Sequence, residues 1–209
     1  MTKIRRVALI GAGGINSWAS LYLKEICDIF EQSKLIFAQI FDEDIVEEKN
    51  LLRQNQNYKV EDLMECKAKI LGERYGFNYE CAFITRNNLS ILENFDDIIL
   101  GVDNNRTRQM LYKFALEHNK YLLDLRAQGT QIMFVTIYPN EQKNMEYYDT
   151  RYFNEKTLDR KGGCQLKADI ENDHIQNGNK IIAHFGIYGI YLNWLRNEKA
   201  STDEFKFTY

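Results

Sequence analysis

Apolar positions along this chain alternate between short continuous runs and helical stripes. Val7-Ala-Leu-Ile10 is a continuous run closed by Gly11-Ala-Gly-Gly14, the pattern of a buried parallel strand that stops at a tight turn. From Ile15 to Phe30 the residues Ile15, Trp18, Leu21, Tyr22, Ile26 and Ile29 recur at three- and four-residue steps, which predicts a helix. Leu35–Phe41 then reads as a second strand with Asp42 at its carboxyl end. The strand–helix–strand unit so formed spans about 35 residues and is half of a nucleotide-binding fold.

Glu43–Lys59 is polar and aperiodic, and reads as a long loop with one helical turn. Val60, Leu63, Met64, Ala68, Leu71 and Tyr75 predict a single amphipathic helix over 60–75, with Lys67 near the middle of its apolar stripe and Lys69 on the solvated face. A weak strand at Tyr79–Phe83, a strand at Asp97–Val102 ending at Asp103, a helix over 106–118 and a strand at Tyr121–Leu125 continue the alternation. The fold class that follows is α/β, a doubly wound Rossmann-like sheet, mostly parallel, with helices on both faces. Gln131–Tyr138 is a strand reached without an intervening helix, so it adds an antiparallel extension, and Lys180–Arg196, apolar on most sides, predicts a C-terminal closing helix. The organisation expected is one domain over 1–209, comprising a nucleotide-binding core (1–137), a mobile crossover-like segment (138–178), and the closing helix with a frayed tail (179–209).

Composition narrows the class of partner. The chain has 209 residues, 27 Lys+Arg against 30 Asp+Glu, and a net charge of −3, so no global positive field makes nucleic acid the default partner. Its 44% hydrophobic content supplies a core, yet no run is long enough for a membrane span or an export signal. The four cysteines, Cys27, Cys66, Cys81 and Cys164, form no C-x-x-C pair, which predicts unpaired thiols, a reducing cytoplasm and no structural zinc. Cys27, Cys66 and Cys81 fall inside predicted elements as core or boundary residues.

In a doubly wound sheet the ligand crevice opens where the strand order reverses, and three features converge there. The Gly11–Gly14 turn lets backbone approach a phosphate at a helix N-terminus, or is a merely tight junction; Asp42 is a ribose ligand or a solvated strand-end carboxylate. Asp103 is either a helix N-cap or a magnesium ligand facing phosphates. Arg53 can pair bidentately with phosphate or be an ordinary surface arginine, and Lys67, on an apolar stripe, must snorkel or meet an anion. A dinucleotide fingerprint would be Gly-x-Gly-x-x-Gly, but Asn16 stands at the third position, which counts against an NAD-dependent oxidoreductase.

Taken together, Gly11-x-Gly-Gly14, Asp42-x-Asp-x-Val46, Asn50-Leu-x-Arg-Gln54, Lys67-Ala68 and Asp103-Asn104 with Arg108 resemble the ThiF/MoeB family, the adenylating module of ubiquitin-activating enzymes. The resemblance spans about residues 5–137. It implies that Gly11, Gly13 and Gly14 cradle ATP, that Asp42 binds ribose, that Asn50, Arg53, Gln54 and Lys67 engage phosphates, and that Asp103 organises Mg²⁺. The implied reaction is ATP-dependent adenylation of the C-terminal carboxylate of a small ubiquitin-like or sulfur-carrier protein ending in Gly-Gly, by a homodimer. Leu125-Arg-Ala-Gln-Gly129 falls where the family shapes the site for that carboxyl terminus.

Departures from the family bound what carries over. The paired C-x-x-C zinc ligands of many members are missing, the segment before strand 1 offers only Lys3, Arg5 and Arg6, and no room remains for a large cysteine domain. Cys164, beside Arg160 and Lys161, is the one thiol in the mobile segment and the candidate to accept the acyl group as a thioester. A catalytically idle nucleotide-binding partner subunit stays open as the second reading.

Overall fold

The computed structural model describes residues 4–29, 36–52, 56–128, 131–153, 177–198 and 202–208. Seven strands form one sheet: β1 (Arg5–Ile10), β2 (Ile36–Phe41), β3 (Asn78–Glu80), β4 (Asp97–Leu100), β5 (Tyr121–Gln128), β6 (Gln131–Ile137) and β7 (Glu204–Thr208). Their order is β3-β2-β1-β4-β5-β6-β7. The strands from β3 to β5 are parallel, whereas β6 and β7 join antiparallel. The sheet is therefore the doubly wound α/β arrangement with an antiparallel extension, and its winding reverses between β1 and β4.

Val7–Ile10 and Asp97–Leu100 are buried throughout because both faces of the central strands are covered, which is why Val7–Ile10 and Ile98–Leu100 read as continuous apolar runs. One core lies between the sheet and α1 (Gly14–Ile29), α3 (Lys67–Tyr75) and the closing helix. The other packs Leu111, Tyr112 and Phe114 of α4 (Asn105–Glu117) and Tyr148 and Tyr152 of α5 (Met145–Tyr152) against the opposite face. The closing helix runs as α6 (Gly178–His184), a π-helical stretch Phe185–Tyr191 and α7 (Leu192–Leu195). Its far end is fastened at the amino edge of the sheet. There the buried Asp97 carboxylate accepts from Arg5 Nε (2.7 Å), Tyr191 OH (2.8 Å) and Trp194 Nε1 (3.1 Å).

Several sequence expectations need correction. The helix predicted over 60–75 is broken: a 3₁₀ turn at Val60–Asp62 is followed by a turn in which Met64 takes a positive φ of 68°, and α3 starts only at Lys67. Met64 is 73% exposed, so the apolar stripe drawn through it does not exist. The tail expected to fray instead holds β7, paired with β6 from Gln131↔Thr208 to Val135↔Glu204, and Phe205 stacks on Phe134. The segment 138–178, expected to be mobile, contains α5, started by Asn144, whose side chain accepts from Tyr147 N at 3.1 Å. Two cysteines are not free thiols, since Cys66 and Cys81 form a disulfide. The cysteine pattern consequently carries no argument about compartment. Among the described residues no helix is long and apolar enough to cross a membrane.

Candidate nucleotide site

The carboxyl ends of β1, β2 and β4 open into a cleft of about 490 Å³ whose lining includes Gly11, Gly13, Gly14, Asp42, Asn50, Lys67 and Asp103. Of the predicted site residues, these seven are brought together. Arg53, Gln54 and Cys164 lie outside the described residues, as do Arg160, Lys161 and Gly129.

The glycine turn is built for close approach. Gly11 has a φ of +83°, which disfavours any side chain, and a Cβ there would also meet Val102 and the Gly101 carbonyl at 3.0 and 3.2 Å. A Cβ on Gly14 would strike the Asn179 amide nitrogen at 2.2 Å, so α6 seals the back of the turn. Asn16, the residue that replaces the third fingerprint glycine, is fully buried and donates from Nδ2 to the carbonyls of Ile10 (3.0 Å) and Gly11 (2.8 Å). Gly101, at the end of β4, supplies its room, because a Cβ there would lie 2.5 Å from Asn16 Cγ. The close helix–strand approach that a third glycine ordinarily permits is thus made by moving the glycine to the neighbouring strand.

Asp42 is 5% exposed and ties two loops together. Its Oδ2 accepts from Ala12 N at 2.5 Å and its Oδ1 from Asp44 N at 2.8 Å. Burial raises its pKa above the usual carboxylate value, against the two N–H donors, which lower it. Each oxygen keeps a lone pair for a further donor such as a sugar hydroxyl. Tyr58 braces the same turn by donating to the Ala12 carbonyl at 2.5 Å.

Lys67 is reached by a different local structure from the one expected. It is the first residue of α3, pinned by its own N–H to the Asp44 carbonyl at 2.8 Å, and its side chain is 9% exposed with Nζ 3.1 Å from Asp44 Oδ2. The Asp44 carboxylate is 57% exposed, so it can leave to solvent when a buried anion takes its place. Asn50 is buried on α2 (Glu48–Leu52), where its Oδ1 accepts from Glu47 N at 2.8 Å.

Asp103 does not cap α4. The N-cap of α4 is Asn104, whose Oδ1 accepts from Thr107 N at 2.7 Å. Asp103 is exposed in the cleft and forms no ion pair or hydrogen bond among the described residues. No cluster of three metal-ligating side chains occurs among the described residues, but magnesium is ordinarily held by one or two carboxylates together with substrate phosphates, and a lone free carboxylate fits that donor set.

Sequence reasoning missed Asn179, Lys49, and the outer wall of Phe83, Ile84 and Thr85. It also missed what holds that wall. The Cys66–Cys81 disulfide joins the residue before Lys67 to the segment that leads into Phe83.

A glycine turn at a helix N-terminus, a buried strand-end carboxylate and a cleft at the winding reversal are the arrangement shared by doubly wound α/β proteins that bind nucleotides. The sequence matches the ThiF family over residues 2–168, and the chain belongs to that family. No curated protein matches it significantly. Among solved structures it is similar to Escherichia coli MccB in complex with succinimide (14% identity, TM-score 0.73, covering 100% of this chain and 61% of MccB). It is similar also to PaaA (19% identity, TM-score 0.69, covering 99% and 61%). MccB solved with ATP gives a TM-score of 0.70 at 14% identity over 100% of this chain and 61% of MccB. MccB has further been solved with AMPCPP and MccA. At these identities the likeness is one of fold, and the chain spans about 61% of the length of these neighbours.

Proposed function

We propose that the chain uses ATP to adenylate the C-terminal carboxylate of a small partner protein, ubiquitin-like or sulfur-carrier in kind and ending in Gly-Gly. The observation that carries this reading is the convergence on one cleft of the glycine turn, the tethered Asp42, the buried Lys67 and the unpartnered Asp103. Membership of the ThiF family supports it, as does the occurrence on this fold of MccB structures with ATP and with AMPCPP beside MccA.

In this reading the backbone of Gly11, Gly13 and Gly14 and the amino end of α1 receive phosphate, Asp42 accepts from the ribose hydroxyls, and Asn50, Arg53, Gln54 and Lys67 meet the phosphate chain. A partner carboxylate oxygen forms a bond to the α-phosphorus as the bond to the bridging oxygen breaks and pyrophosphate departs. The attacking group is already ionised, so no general base is required. Negative charge builds on the phosphoryl oxygens, and Lys67, shielded from water, counters it more strongly than an exposed lysine could. Asp103 would hold a magnesium ion, which when bound neutralises phosphate charge. The acyl-adenylate is then open to a sulfur or nitrogen nucleophile, with Cys164 the thiol we put forward, and the working unit is a homodimer.

The test is exchange of labelled pyrophosphate into ATP, with Mg²⁺ and small Gly-Gly-ending proteins encoded beside this one. Exchange is expected to depend on the partner, to vanish in Asp103→Ala, and to fall about 10- to 100-fold in Lys67→Ala, the loss of a charged hydrogen bond. Tight ATP binding with no exchange for any partner would instead mark an idle partner subunit.

A further inference from the structure

Beyond β4 the chain leaves the sheet ladder at Gly101, whose N–H still donates to Ile10 O at 3.0 Å, and turns through Val102, Asp103 and Asn104 into α4. The carboxylate assigned above to the metal and phosphates therefore rides on a three-residue turn with no ladder bonds of its own. Arg108, one turn into α4 and 8% exposed, reaches back to that turn with every nitrogen engaged. Its Nη2 donates to the Val102 carbonyl, its Nη1 to Asn105 Oδ1 at 3.3 Å, and its Nε to Asp124 Oδ1 at 3.1 Å. Asp124 is fully buried on β5, opposite Leu100, the last residue of β4. Its other oxygen accepts from Tyr112 OH (2.9 Å) and Arg126 Nε (2.7 Å). The guanidinium of Arg108 is thus held from below by a rigid buried carboxylate and holds, from above, the peptide group immediately before Asp103.

We infer that Arg108 is the positioning residue for Asp103, and that Asp124 fixes Arg108 for that task. The inference rests on the reading of Asp103 as the carboxylate that meets metal and phosphates. A buried arginine need not spend a donor on a loop carbonyl to balance Asp124, because Arg126 and Tyr112 already contact that carboxylate. The third donor has a consequence only for the Val102–Asn104 turn. Asn104 restrains the same turn from its other end through Thr107 N. A carboxylate fixed at both flanks contributes to metal binding without first being ordered, and freeing either flank returns that ordering cost to the binding step.

The experiment is calorimetric titration of the full chain with ATP, in saturating Mg²⁺ and in chelator, which gives the factor by which Mg²⁺ tightens ATP binding. Arg108→Met is expected to cut that factor about tenfold or more while the affinity in chelator changes less than about threefold. Arg108→Lys, which keeps a charged donor for one of the three partners, is expected to recover part of it. Asn104→Ala loosens the turn without touching Asp124, so it keeps the test available if Arg108→Met fails to fold, and it too is expected to reduce the factor severalfold. Full Mg²⁺ tightening in both Arg108→Met and Asn104→Ala, or equal weakening with and without Mg²⁺, would overturn the positioning role. Wild-type ATP binding insensitive to Mg²⁺, or unaltered tightening in Asp103→Ala, overturns the reading of Asp103 and the inference with it. Loss of tightening in Asp103→Ala with full tightening in the other two variants removes the inference alone.

Discussion

Single residues in the cleft are set against their own solvation. Asp42 is the clearest case, since burial holds its pKa above the ordinary carboxylate value of about 3.9 even though two backbone N–H groups stabilise the anion. The folded state therefore binds this proton more tightly than the unfolded chain does. Its contribution to stability declines as pH rises from the ordinary value through the raised one, the reverse of a salt-bridged aspartate. With Asp42 as the proposed ribose ligand, binding runs the other way, because protonation removes an acceptor. Adenosine, which lacks titrating phosphates, is expected to lose affinity on acidification at a higher pH than an ordinary carboxylate would dictate, and Asp42→Asn to bind weakly without that inflection. An identical pH profile in the two proteins, measured by equilibrium titration, would count against Asp42 as the ribose ligand. Lys67 shows the limit of pattern reading at this scale. The pattern places it on an apolar stripe through Leu63 and Met64 that the structure does not contain, and its burial comes instead from its place as the first residue of α3.

Between elements, two junctions carry the cleft. The first joins α1 to the end of β4, where Asn16 and Gly101 exchange bulk. Gly101→Ala forces a methyl into Asn16 and is expected to cost about 1–3 kcal/mol. Asn16→Gly strips hydrogen bonds from the Ile10 and Gly11 carbonyls, at a similar expected cost. Because removing the Asn16 side chain makes room for the methyl, the double variant is expected to lose less than the two costs together; additive urea-melt energies would refute the exchange. The second junction is the Cys66–Cys81 bridge between the start of α3 and the segment after β3, 15 residues apart in sequence. Closing a loop of that size is worth about 3 kcal/mol, so a dithiol reductant is expected to lower the melting temperature, and Cys66→Ser/Cys81→Ser to melt low and ignore the reductant. Burial pushes the Cys27 thiol up to about 11, which keeps it protonated and slow to exchange at neutral pH. The sequence could not announce either junction. Each depends on which strands lie side by side, and neither a glycine at position 101 nor a cysteine at 81 carries that in its neighbours.

At the scale of the whole molecule, what was legible is what local pattern determines. Continuous apolar runs at Val7–Ile10 and Ile98–Leu100 and the glycine turn sufficed for the winding and the place of the cleft, because a strand covered on both faces is written mostly in apolar residues. β7 was not legible, although Glu204-Phe-Lys-Phe-Thr208 alternates, since a strand of five residues is identified by its partner and that partner is β6. Asn179 was invisible for the same reason, sitting just before the predicted closing helix and acting on Gly14 at the far end of the sequence. That last contact has a bearing on how the protein is made. During synthesis β1 to β6 emerge first and can align, but Gly14 has no backing and Asp97 no tyrosine or tryptophan until residues 179–194 have followed. The nascent sheet can therefore exist before its cleft is complete, and the backing of the glycine turn arrives late, with the closing helix.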